Sequence, residues 1–173
     1  MILRDYYQAN VPTLLFSLHR QPAAAIATGT KLLEYRRQFF TQPFQALVYV
    51  TGPGGGVAMY LQAGAAVVAT PTILGAIGAA IQNDQPAEVA RYLQGRDRGC
   101  AIPITAVTTI NNLALPRLRQ RFTNFVTPRG YVYLDQPARQ AQLRFFLDQP
   151  CAPLRTNREL TAQLNQLKSV YQI

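Results

Sequence analysis

With 173 residues, 49% of them hydrophobic, the chain is long enough to fold as one domain around a proper core and too apolar to be disordered. Its formal net charge of +9 comes from 17 Lys and Arg against 8 Asp and Glu, and only Lys31 and Lys168 among those cations are lysines. Cys100 and Cys151 lack a metal-ligand spacing, His19 is the only histidine and the carboxylates do not cluster, so no metal or cofactor is expected.

Such a charge concentrates polyanions near the surface and speeds encounter, and the planar Arg fork grips phosphate and stacks on bases. Nucleic acid is the partner class this favours; the alternative source of the charge is an Arg-rich, Gln-rich proteome. The start, Met1-Ile2-Leu3-Arg4-Asp5-Tyr6-Tyr7, has no basic region followed by an apolar core, so no secretory signal is read there and a cytoplasmic location is expected. No charge occurs between Arg37 and Asp84, and residues 57–81 are long enough to suggest a membrane span. Pro71 divides that stretch, Gln62 and several Thr interrupt it, and four glycines between 52 and 56 precede it. Strands followed by a buried helix explain it better, and no membrane contact is expected.

In chain order, residues 1–12 are a lead-in and 14–18 a first strand. Pro22 opens a short helix over 22–27, at a turn where its missing N–H is harmless, and Gly29 stops it in the left-handed conformation. Strands follow at 32–37 and 45–51. Gly52-Pro53-Gly54-Gly55-Gly56 reads as a hairpin turn, since the Gly-Lys-Ser/Thr of a phosphate-binding loop is missing. Residues 57–70 form one long strand or two short ones broken at Gly64. Thr70 caps a helix over 71–82 with Pro71 at its first position, and a second helix over 86–93 stops at Gly95. Residues 99–110 alternate apolar residues with Thr, and Pro103 places the start of that strand at an edge or bulge. A short basic helix at 115–121, a strand at 130–134 and helices at 137–147 and 157–170 complete the chain. The last carries Leu160, Leu164, Leu167 and Tyr171 at helical spacing, a stripe that packs on a core.

The stretch from Gly29 to Arg37 carries Lys31, Glu34, Arg36 and Arg37. In an extended segment Lys31, Leu33, Tyr35 and Arg37 share one face, and Leu32, Glu34 and Arg36 the other. Such a set at the rim of a sheet binds an anion or a nucleobase, or is a solvated edge with a local ion pair. Gly-x-Lys-x-x-Glu-aromatic-Arg-Arg after Leu15-Phe16-Ser17-Leu18-His19 resembles the opening of the ASCH domain. Ala46 to Thr51 is similar to that family's second strand, and Tyr92-Leu93-Gln94-Gly95-Arg96-Asp97-Arg98-Gly99-Cys100-Ala101-Ile102 to its Gly-Lys-Asp-Lys-Gly-Tyr-Ala-Ile segment. Asn112 to Leu118 and Pro128 to Leu134 resemble its closing elements, so the resemblance runs from about residue 14 to 134.

The resemblance implies an α+β fold: a PUA-like mixed β-barrel with flanking helices over residues 1–135; beyond it the helical pattern adds a C-terminal helical extension over 136–173, packed on the same domain. It also implies RNA or nucleotide binding in a basic cleft, with a regulatory role open. Lys31, Arg36 and Arg37 would hold phosphate, while Glu34 would accept from a base amino group or pair with Arg36 or Arg37. Arg96 and Arg98, between flanking glycines, would grip phosphates or form a solvated loop. Arg117, Arg119, Arg121 and Arg129 would extend the surface. Tyr131 and Tyr133 would stack on bases or pack as strand aromatics. The alternative is a small hydrolase, since some small ASCH-like proteins are amidohydrolases of acylated cytidine and others cleave RNA. Lys31 and Glu34 would then be catalytic, but the Thr those amidohydrolases carry three residues after the Lys is here Glu34. His19 falls at a strand end near the expected cleft, as an acid–base group or an ordinary polar residue. Oligomeric state is left open.

Overall fold

The computed structural model describes Met1–Ile173, and every element below belongs to one curved sheet or to a helix packed on it. The strands are β1 (Thr13–Leu18), β2 (Leu33–Arg36), β3 (Phe44–Val50), β4 (Gly56–Ala63), β5 (Val67–Ala69), β6 (Gly99–Ala114), β7 (Tyr131–Tyr133) and β8 (Arg155–Thr156). The helices are α1 (Arg20–Thr28), α2 (Pro71–Gln82), α3 (Pro86–Tyr92), α4 (Leu115–Arg121), α5 (Gln140–Leu147) and α6 (Leu160–Tyr171). No helix is long and apolar enough to cross a membrane.

The sheet runs β2-β6-β4-β3-β1-β7, with β5 and β8 also paired to β6. β1 and β3 are parallel and the other pairs antiparallel. Alternation along β1, β3 and β4 sends Leu14, Phe16, Phe44, Ala46, Val48, Met59 and Leu61 to the concave face with Ile26 of α1. Leu15, Leu47 and Tyr60 go to the convex face, under α4 and α5. A third apolar cluster joins Leu33, Tyr35 and Ala101 to Leu74 and Ile77 of α2, Val89 of α3, and Leu160 and Leu164 of α6. This is the expected α+β architecture, as a half-barrel whose end strands β2 and β7 do not pair with each other.

The expected break at Gly64 separates β4 from β5. β6 bridges both, pairing Gly99 to Ala101 with β5 and continuing from Ile104 along β4. Pro103 falls between these partners, where register shifts beside Ala63 and no ladder bond needs its missing N–H. Gly29 caps α1 at φ 84°, and the Thr70 hydroxyl accepts from Ile73 N–H at the start of α2.

The segment after residue 135 is more than helical. Between α5 and α6 the chain runs along the sheet: Cys151 bridges to Ile110, and β8 pairs with Ala106 and Val107. There the Arg155 guanidinium donates to the Ala27 and Ile26 carbonyls at 2.8 and 2.6 Å, neutralising the C-terminal end of α1.

Candidate nucleic-acid cleft

Because β1 and β3 are parallel, their carboxyl ends meet at one end of the half-barrel, where Thr51 N–H donates to the Leu18 carbonyl at 2.9 Å. The chain leaves β1 through His19 directly into α1. A cavity of about 530 Å³ opens there, lined among others by Ser17, His19, Lys31, Glu34, Arg36, Tyr92 and Arg129. The first intrahelical bond of α1 is Ala23 N–H to the His19 carbonyl, and Pro22 has no N–H. The Arg20 and Gln21 amides therefore stand without an intrahelical acceptor at the positive end of the helix, between His19 and Pro22 of the cavity lining. His19 Nδ1 lies 3.0 Å from Thr51 Oγ1, with the proton on either atom.

Glu34 sits at the centre with only 9% of its side chain exposed; Lys31 Nζ is 3.5 Å from one carboxylate oxygen and Arg36 Nε 3.3 Å from the other. Arg36 is built in from several sides. Its Nη2 donates to the Ser17 carbonyl at 2.7 Å, and its guanidinium lies 5.4 Å from the ring centres of both Phe16 and Phe39. Its Nε is close to Glu34 but not aligned as a hydrogen bond, leaving a buried donor without an acceptor. Arg36 thus ties β2 to β1 across the open side of the half-barrel and turns one edge of its cation towards the cavity.

Lys31 corrects the face expected from alternation. It joins Glu34 and Arg36 because β2 begins only at Leu33. The Leu32 and Leu33 amides both donate to Gln82 Oε1, at 2.6 and 2.8 Å, which holds the entry to the strand in a bend. Leu32 accordingly packs in the same cluster as Leu33. Arg37 points elsewhere: its Nε donates to the Tyr92 carbonyl at 3.1 Å, and its guanidinium lies 6.0 Å from the Tyr92 ring centre. Of the expected cluster, Lys31, Glu34 and Arg36 line the cavity, and Arg37 stands at its rim.

Arg96 and Arg98 are exposed on the loop after α3, away from the cavity lining, and Arg98 reaches the Val68 carbonyl at 3.3 Å. The Tyr131 ring packs edge-on against Phe39, Phe40 and Tyr133, with ring centres 4.9 to 6.0 Å away. Arg121 lies over the Phe145 ring at 4.5 Å. Nothing local in the sequence marks Tyr92 or Thr51 as a site residue, and Tyr92 stands only within the family-like segment. No group of His, Cys, Asp and Glu side chains is placed to hold a metal ion.

Behind the cavity Tyr35 donates to Asp84 at 2.6 Å, and Gln82 donates to the same carboxylate oxygen at 2.7 Å. Burial foremost, and the Asp84 carboxylate next, push the Tyr35 phenol far above its usual range. This network holds β2 against α2 from its apolar side.

No family model and no curated protein sequence matches the chain. Solved structures do. An ASCH protein from Zymomonas mobilis superposes with a TM-score of 0.66 at 21% identity, over 77% of this chain and 94% of that one. A serine-to-alanine variant of that protein gives 0.64 at 20% identity, over 78% and 98%. A tyrosine-to-phenylalanine variant gives 0.63 at 18%, over 78% and 97%. The chain therefore has an ASCH-like α+β fold.

Proposed function

We propose that this protein binds RNA or a nucleotide through the cavity at the mouth of the half-barrel. The observation that carries the reading is the convergence there of Lys31, one edge of Arg36, Arg129 and the amide end of α1 on a single concave site. Three cationic side chains and a helix N-terminus surround one carboxylate, so the site is matched to an anion of more than one charge. Phosphate on Lys31 and Arg129 would leave the outer edge of Glu34 to accept from a base amino group. Arg37 stands at the rim, and Arg96 and Arg98, on the loop beyond Tyr92, would extend a cationic path for a longer strand. Tyr131 would join only by exchanging its ring contacts for a base. A regulatory role and a cytoplasmic setting belong to the same reading.

Backbone amide NMR tests the site. Titration with a nucleoside 5′-monophosphate is expected to shift the amides of Arg20, Gln21 and Lys31 in a saturable way. Shifts scattered over α4 and α6 instead would contradict it. The hydrolase alternative would use Lys31 and Glu34, which here engage each other as an ion pair.

A further inference from the structure

Resting on the nucleotide-binding reading, we infer that Tyr92 is the base-stacking residue of the cleft and that its ligand presents an unpaired, unstacked base, as single-stranded RNA does. Of the nine Tyr and eight Phe, Tyr92 is the one the fold leaves exposed, at 47%. The other large apolar side chains left open are Val126 and residues at or near the chain ends, Met1, Val170 and Ile173. Tyr92 is not loose. Val89 and Leu93, on either side of it, are 6% and 0% exposed, so the end of α3 is anchored beneath an open ring. Arg37 braces it further by holding the Tyr92 carbonyl and standing over the ring.

Tyr92 lines the larger cavity and also a smaller one, of about 190 Å³, shared with Tyr35, Asp84 and Glu88. It therefore stands where a base attached to a phosphate in the larger cavity would emerge. An anchored aromatic face stacks on any base at little conformational expense, and a cation beside it strengthens the stack. A duplex keeps both faces of each base covered and cannot use such a platform. Arg37 acts here as a positioning residue that fixes the angle of the ring.

The test compares the full chain with its Tyr92→Ala, Tyr92→Phe and Lys31→Ala variants. Probes are a short fluorescent single-stranded RNA and an abasic oligomer with the same backbone, over a salt series. Tyr92→Ala is expected to weaken RNA binding about ten-fold without changing the slope of log affinity against log salt. Tyr92→Phe should stay close to wild type, and the abasic oligomer should bind wild type and Tyr92→Ala alike. If Tyr92→Ala binds RNA as wild type does while Lys31→Ala binds weakly, the stacking role is wrong and the cleft reading stands. Equal losses in Tyr92→Ala and Tyr92→Phe, or a duplex competing as well as the single strand, would also overturn it. Wild type binding no better than Lys31→Ala would remove the cleft reading and this inference together. Because Tyr92 is half-exposed at a helix end, thermal melting should show all the variants folded.

Discussion

Glu34 and Arg36 form one unit with two tasks. Arg36 spans the open side of the half-barrel to the Ser17 carbonyl, and Glu34 pairs with that cation through one carboxylate oxygen and with Lys31 through the other. Arg36→Ala should thus lose stability as well as ligand, while Lys31→Ala should lose ligand alone. Gly78 shows how tightly the wall behind them is built: a Cβ there would collide with the Tyr35 hydroxyl and stand 2.8 Å from the Asp84 carboxylate. Gly→Ala inside a helix ordinarily stabilises by up to about 1 kcal/mol. Here the collision wins, and Gly78→Ala is expected to destabilise by about 1–3 kcal/mol in denaturant unfolding. Tyr35 gives a pH signature. Its phenol holds its proton in the folded state well above the unfolded value near 10, so its contribution is complete below about pH 10 and lost as pH rises beyond. Tyr60, raised by burial to about 12, acts in the same direction. Tyr35→Phe should lower stability at neutral pH, by freeing the Asp84 carboxylate, yet flatten the fall between pH 10 and pH 12. A variant falling as steeply as wild type would contradict the assignment.

At the scale of elements, the site is held from its far side. α1 starts beside the cavity, with His19 and Pro22 in the lining, and its carboxyl end is gripped by Arg155 of β8, more than 120 residues later in the chain. Arg155→Met would leave the Ala27 and Ile26 carbonyls without their charged donor. The expected loss is about 1–3 kcal/mol, or a drop of several degrees in melting temperature for a chain of this size. A variant melting with wild type would show that α1 needs no such clamp. Local chemistry made most elements readable in advance: Gly29 as the stop of α1, Thr70 and Pro71 as the start of α2, and the Gly-rich hairpin between β3 and β4. The face taken by Lys31 was not readable, because alternation holds only within a strand and Gln82, some fifty residues away, decides where β2 begins. The course of residues 148–159 along β6 was hidden for the same reason. Two-residue β8 has no period of its own, and its place is set by the strand it pairs with.

For the whole molecule, a net charge of +9 attracts polyanions whatever the shape, and it only becomes a site where geometry gathers a few cations in a hollow. The motif order in the sequence carried the ASCH-like fold, and the superposed structures bear it out at 21% identity. Of the residues the motif named, Lys31, Glu34 and Arg36 are among those that line the cavity and Arg37 is not. The motif could not name Tyr92 or Arg155 as contributors, since each acquires its part from a distant contact. The measurement that decides between a cleft and a merely basic surface compares two variants of equal charge. One is Lys31→Ala with Arg129→Ala, inside the cavity; the other is Arg144→Ala with Arg158→Ala, exposed elsewhere. Single-stranded RNA affinity is followed over a salt series for both and for wild type. The cleft variant should bind at least ten-fold more weakly, with a salt slope shallower by about 1.4 for two lost phosphate contacts. The surface variant should stay within about two-fold of wild type, the residual effect of a screened distant charge. Equal losses in the two variants would contradict the account, for the charge would then act without a site.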